Sequence, residues 1–520
     1  MSARPWTKRA TLKTLAAAGG ALAIPSALRN AVAAGEPDVH LRIVAAPATM
    51  AIREGPRTRG LRYTGEVLHG RRDALAAAPG NLGPTLDLRR GERVRIEVVN
   101  RVGEETVIHW HGMLVPEAAD GHPHQAVSSG ERYTVDFTVL NPAGTYLYHP
   151  HPHEVTGRQT YAGLAGLIVV REPAERETGL PSLQHELPLV LQDRRFRGDN
   201  QLVYKRMMMD DMNGVLGDTV LVNGIDDAAF KVAPRPYRLR IANVSNARIY
   251  KLAWSDGRPL RVIAADNGLF SRAEGVQDRP YVTLFPFERI EVLEDFGARR
   301  DGTEIALLSR AFSGLDMMDS MMGGMMGGGG MMGGGGMMGG GMMGGMMGSS
   351  QGEELHIARF TVSPGARPRA QRIALPDEPA RAAPKGVELR TQLAFRHMRG
   401  FLNGRSFDTQ DMMAVTNDER LPVGKASVWT FNNDGRGMAM PHPIHIHGVR
   451  FRVIERSGGD VPPHLRDGII DTGFKDVVGV FAGERVRVEV TPTIPGLFMV
   501  HCHNLEHEDG GMMRNVLFES

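Results

Sequence analysis

The sequence predicts an all-β protein made of three sandwich- or barrel-type domains in series. Three observations carry this. Apolar and polar residues alternate in ERVRIEVVNRV (92–102), ERYTVDFTV (131–139) and ERVRVEV (484–490), the period of half-buried strands. The chain contains 63 Gly and 32 Pro, enough turn formers for many short strands. Its 520 residues, 42% of them hydrophobic, suffice for three domains of ordinary size.

Residues 1–34 read as an export leader. Arg4, Lys8, Arg9 and Lys13 form a basic region, Leu15 to Ile24 a short apolar run, and Ala31-Val32-Ala33 a cleavage site. Thr7 to Lys13 resembles a twin-arginine signal, with Lys8 in place of its first arginine and Thr11 in place of its usual Phe. The apolar run is too short and interrupted to span a membrane, and no other stretch reads as a span. Cleavage near residue 33 is expected to leave a periplasmic or otherwise exported protein. Five basic and no acidic residues leave with the leader, so the formal charge moves from +2 to −3. That excludes the basic footprint of a nucleic-acid binder.

Residues 36–172 are expected to form domain one, closing on the buried strand GLAGLIVV (163–170). The charged, Pro-bearing stretch 173–186 suits a linker. Residues 187–365 form domain two, with LPLVLQD, DTVLVNG, YRLRIANVS, LRVIAADNG and RIEVLEDF as its clearest strands. It has no His-x-His pair and reads as structural, holding its neighbours apart. Within it, residues 317–348 comprise 14 Met, 16 Gly, Asp319 and Ser320. Glycine at half of all positions costs too much chain entropy for a fixed structure, so a mobile loop is expected. Thioether sulfur selects Cu(I), which makes the loop a candidate soft-metal collector as well as a tolerated low-complexity insertion. Residues 366–385 form a second linker. Residues 386–520 form domain three, including SVWTFNN (427–433).

The single cysteine, Cys502, lies between His501 and His503 in HCHNLEHEDGGMM (501–513). A lone cysteine is most often buried and inert; the histidines argue otherwise here. On a strand, Cys502 faces one side while His501 and His503 face the other. One thiolate, two imidazoles and a weak thioether make a blue-copper electron-transfer site. The 19 histidines form six i, i+2 pairs, where chance gives about 0.7. Four pairs lie in strand-like surroundings: VIHWHGMLV, TYLYHPHP, PIHIHGVRF and FMVHCHNL. They offer eight imidazoles from four strands. His442 precedes His445 by three, with Pro443 stiffening a turn between them, and is free to point away from His445 and His447.

These four segments resemble the copper-binding signatures of the multicopper oxidases, the family of laccases, bilirubin oxidases and bacterial cuprous oxidases. The resemblance runs from His109 to Met512. It implies three cupredoxin-like Greek-key β-sandwich domains and four copper ions. By this resemblance, His442, Cys502, His507 and axial Met512 hold a type 1 copper, and His109 and His445 a type 2 copper. His111, His149, His151, His447, His501 and His503 hold a type 3 pair. Asp120 and Glu508 fall where the family places a carboxylate near the cluster and a proton donor. Reducing dioxygen to water consumes protons as well as electrons, so both suit catalytic proton transfer. Met440 matches a substrate-copper methionine of the cuprous oxidases, while Met438 stands where a carboxylate is usual; Asp434 is the acid nearest in sequence. His122, His124 and His153 read as loop residues or supports outside the cluster.

The expected activity couples one-electron oxidation of Cu(I) or phenolic compounds to reduction of dioxygen to water, in a copper-tolerance role. A laccase with phenols as main reductants and a non-enzymatic exported copper-binding protein are the alternatives. A copper nitrite reductase is set aside, because those chains are shorter and two-domain. A monomer with no membrane span and no nucleic-acid partner is expected.

Overall fold

Alternation in the sequence becomes alternation of burial. In the strand Arg93–Asn100, Val94, Ile96 and Val98 are buried while the charged residues between them face outward. Val486, Val488 and Val490 repeat this in Glu484–Val490. This computed structural model describes residues 36–77, 80–205, 208–315, 349–368, 373–377, 386–435, 440–459 and 461–520. The leader, the Met/Gly-rich insert, Met438 and most of the second linker lie outside them.

Among the described residues the strands form six sheets, two to each of three domains. The three domains share a pattern of strand pairing. In each first sheet, the opening strand runs parallel to a later one: Val39–Met50 with Arg93–Asn100, Glu186–Arg194 with Pro236–Asn243, and Glu388–Arg396 with Ser427–Asn433. Each second sheet also holds one parallel pair: Thr85–Arg89 with Gly166–Arg171, Ala229–Val232 with Leu355–Val362, and Arg420–Pro422 with Met513–Glu519. A parallel pair cannot be closed by a tight hairpin, so the chain crosses between layers, as a Greek-key sandwich requires. Three apolar cores fill the spaces between paired sheets and include Trp110, Trp254 and Trp429 respectively.

Residues 173–186 make short 3-10 turns, Pro173–Thr178 and Leu183–His185, before the next strand begins. No helix among the described residues is long and apolar enough to cross a membrane.

The domains dock through buried contacts. Leu82, Leu147, Val190, Phe287, Val477 and Leu505, drawn from all three, share one apolar cluster. Glu291 of the second domain accepts from Thr145 of the first at 2.7 Å and from Arg238 and Arg240 at 2.5 Å each. Removing one member of such a buried ionic group costs about 3–5 kcal/mol, because its partners stay buried and unpaired.

The histidine motifs sit at strand ends, a correction to the expectation of continuous strands. The strand Ile108–His109 stops before His111, Gly144–Pro150 before His151, and Gly496–Cys502 before His503. Pro443 makes no turn either. It lies inside the strand His442–Ile446, which pairs with Val477–Val480 and Gly496–Cys502. Strand parity, not a turn, sends His442 to the face opposite His445 and His447.

Candidate metal centre

Two buried groups of ligand atoms lie on opposite sides of the strand ending at Cys502. In the first, His442, Cys502 and His507 bring their ligand atoms within 4.8 Å of one another. Cys502 Sγ is 3.6 Å from Nδ1 of both His442 and His507. The short helix Leu505–Asp509 sets His507: Asn504 caps it by accepting from the backbone N–H of Glu506 at 3.2 Å. His507 then donates from Nε2 to the Met212 carbonyl at 2.7 Å, which leaves Nδ1 facing the sulfur. Gly511, with φ of +90°, turns the chain back so that Met512 is buried in the same core as Cys502. Gly400 leaves room for it, since a Cβ there would lie 2.2 Å from the Met512 Cβ.

The second group is eight buried imidazoles. His109, His111 and His445 form one set, His111, His149 and His503 a second, and His151, His447 and His501 a third. His109 Nε2 stands 3.3 Å from His445 Nε2, and His447 Nε2 3.0 Å from His501 Nε2. His151 Nε2 is 3.4 Å from His501 Nε2, while His111 Nδ1 is 3.2 Å from His503 Nε2 and 3.4 Å from His149 Nε2. His111 is thus the one ring that faces the group through Nδ1.

The outward nitrogens explain the orientation. His109 and His445 donate from Nδ1 to the backbone carbonyls of Asp120 and Asp476, each at 2.7 Å. His447 donates to Asp120 Oδ2 at 2.7 Å, and His149 to the Pro150 carbonyl at 2.9 Å. Rings that donate outward present bare lone pairs inward. Lone pairs converging at these distances repel one another unless cations lie between them, so the donor set fits metal ions. Burial pushes His149 down to about 3 and His151 and His507 to about 4, which keeps them in the neutral, ligating form. Burial pushes the Cys502 thiol up, so a thiolate there also calls for a cation.

Both acids stand beside this group. Asp120 is buried, with Oδ1 lacking any hydrogen-bond partner. Burial, reinforced by Glu117, pushes its carboxyl well above the usual range. Glu508 Oε2 lies 3.1 Å from His501 Nδ1 and Oε1 3.6 Å from His151 Nε2, without hydrogen-bond alignment. Burial raises the Glu508 carboxyl, but His501 and His151 outweigh it and bring the value to about 2.

His122, His124 and His153 stay outside the group. His122 is buried and faces Asn515 Oδ1 at 2.9 Å, His124 sits against His122, and His153 packs near Phe407.

Domain two departs from the expectation of a passive spacer. It does not hold its neighbours apart, because the first and third domains touch directly at the imidazoles. It also lines the centre: Phe287 stacks on His503 with ring centroids 3.8 Å apart. Arg289 grips Asp476 with two 2.6 Å contacts, and His111 Nε2 lies 3.0 Å from Asp476 Oδ1. Burial works against the Arg289 charge, but Asp476 and Asp266 more than offset it and push its pKa up. Sequence reading missed Arg289, Asp476 and Phe287. One available signal was the glycine after HWH: Gly112 has φ of +79°, and a Cβ there would meet Asp476 and Arg289.

A cavity beside His507 is lined by Met440, Pro441, Asn213, Leu315 and Gln351. Leu315 and Gln351 flank the Met/Gly-rich insert on its two sides.

Family sequence models for multicopper oxidase domains match residues 65–175 and 382–520. A multicopper oxidase of Staphylococcus haemolyticus is 30% identical over 439 residues, 84% of this chain and 82% of its own length. The chain belongs to the multicopper oxidases. A laccase of Bacillus stratosphericus is 28% identical to this oxidase, over 83% of this chain and 88% of its own. The crystal structure of the multicopper oxidase McoA from the hyperthermophile Aquifex aeolicus superposes with a TM-score of 0.73 at 29% identity. That match covers 93% of this oxidase and 97% of McoA. Family membership makes copper the metal that these groups would hold.

Proposed function

We propose that this oxidase couples four one-electron oxidations of a reductant to the reduction of dioxygen to two waters. In this reading His442, Cys502, His507 and Met512 hold a type 1 copper, and His109 and His445 a type 2 copper. His111, His149, His503, His151, His447 and His501 hold a type 3 pair. The observation that carries it is the opposed facing of Cys502 and its two flanking histidines.

When bound, copper supplies one-electron redox chemistry at Cys502 and dioxygen binding and reduction at the imidazole group. The protein supplies the rest. Cys502 joins one site to the other through adjacent backbone, and His501 Nδ1 lies 3.2 Å from the Cys502 carbonyl. Asp120 fixes His447 through Oδ2 and keeps Oδ1 able to hold a proton. The Glu508 oxygens stand between His501 and His151, able to accept and release a proton beside the group. Burial of all eight imidazoles excludes bulk water.

Cu(I) is the proposed main reductant. Leu315 and Gln351, which flank the insert in sequence, line the cavity that also contains Met440 and His507, and thioethers such as those of the insert favour Cu(I). Similarity to a laccase supports phenol oxidation as a second reading. The basic, short-apolar leader supports export; a monomeric state and a role in copper tolerance are proposed with it. Dioxygen uptake with Cu(I) or a phenol as sole reductant tests the reading. A higher kcat/KM with Cu(I) is expected. Copper binding without dioxygen uptake would point instead to a storage protein.

A further inference from the structure

We propose that Arg289 is a positioning residue for the type 3 pair: it clamps Asp476, and Asp476 holds His111 with Nδ1 turned to the metals. The inference rests on the reading that the eight imidazoles bind copper.

Seven of the imidazoles face the centre through Nε2 and His111 alone through Nδ1. A ring can present Nδ1 as a lone pair only when Nε2 carries the hydrogen. Asp476 Oδ1, 3.0 Å from Nε2, accepts that hydrogen. A half-turn about the Cβ–Cγ bond would put Cδ2 where Nδ1 stands, and the ligand would be lost. The orientation of this ring therefore depends on a fixed acceptor.

Asp476 is fixed on both oxygens. Arg289 Nη1 donates to Oδ1 and Nη2 to Oδ2, each at 2.6 Å, and Asn267 donates to Oδ2 at 2.5 Å. This paired fork sets the carboxylate plane as well as its charge. Arg289 is itself held by backbone carbonyls: Asp266 at 2.9 Å, Phe287 at 3.1 Å and Thr145 at 3.2 Å. Space for the pair is cut out of the chain beside the ligand. A Cβ on Gly112 would lie 2.4 Å from Asp476 Oδ2 and 2.8 Å from Arg289 Nη2. The relay takes His111 from the first domain, Arg289 from the second and Asp476 from the third. A domain without a ligand thereby controls the orientation of one.

The test uses the full-length, copper-loaded enzyme and its Arg289→Met, Arg289→Lys and Asp476→Asn variants. Total copper, the blue absorption band, the EPR-silent fraction (a coupled copper pair) and dioxygen uptake are measured on each. In Arg289→Met the blue band should persist, while copper affinity at the pair and dioxygen turnover should fall by roughly 10–100-fold. Arg289→Lys should recover part of the EPR-silent copper, because it keeps the charge and loses the fork. Asp476→Asn, nearly the same shape, should shift the same readouts in the same direction, and it carries the test where Arg289→Met does not fold. Full EPR-silent copper and turnover in Arg289→Met or in Asp476→Asn would overturn the proposal. Loss of the blue band together with the EPR-silent copper in Asp476→Asn would also overturn it, assigning the relay to general scaffolding. Absence of EPR-silent copper from the unmodified enzyme would overturn the imidazole reading itself, and this proposal with it.

Discussion

His109 Nε2 lies 3.3 Å from His445 Nε2, although 336 residues separate them in the chain. Neither the first nor the third domain holds the imidazole group alone. The centre exists only in the docked interface, which the second domain seals.

Cys502→Ser removes the thiolate from the His442–Cys502–His507 site. The colour of the copper-loaded enzyme and its turnover should both vanish, while copper at the eight imidazoles remains. Absorption spectra with metal analysis check this; an intense visible band in the variant would contradict the ligand assignment.

Met512→Leu should keep the colour and raise the potential of the blue site, because loss of a weak thioether donor destabilises Cu(II) relative to Cu(I). Redox titration of the visible band measures it. A lowered potential would show that Met512 does not hold the copper of the Cys502 site.

Asp120→Asn and Glu508→Gln preserve side-chain size and remove proton capacity. Each should slow dioxygen reduction by roughly 100-fold or more, while copper content and reduction of the blue site stay near those of the parent. Stopped-flow reduction and reoxidation separate the two halves of the cycle. Unchanged reoxidation would make both residues structural.

Much of this centre was legible in the sequence, because strand parity is local. HCH places one sulfur and two imidazoles on opposite faces whatever the rest of the chain does. His442 and His445 differ in parity, so their divergence needed no turn, and the turn expected at Pro443 was an unnecessary step. Arg289 and Asp476 were not legible. The chain has 61 Lys and Arg and 59 Asp and Glu, and no local pattern marks the two that meet His111. Their partnership arises only when three domains dock. The shared strand pairing of the domains was hidden for a similar reason: parallel pairing joins strands distant in sequence, and alternation says nothing about partners.

Deleting residues 317–348 should weaken Cu(I) oxidation, chiefly at low Cu(I), by removing 14 thioethers from the chain. Phenol oxidation should be unchanged or faster. Thermal stability should change little, because a half-glycine segment contributes little core. Steady-state kinetics across Cu(I) concentrations decide; unchanged Cu(I) kinetics would make the insert a tolerated low-complexity loop.

Anomalous diffraction at the copper edge, from crystals of the copper-loaded enzyme, locates the metal at each ligand group. One copper is expected among His442, Cys502 and His507, and three among the eight imidazoles: one near His109 and His445, one near His111, His149 and His503, and one near His151, His447 and His501. An empty Cys502 site, or a single ion in place of the three, would contradict this assignment.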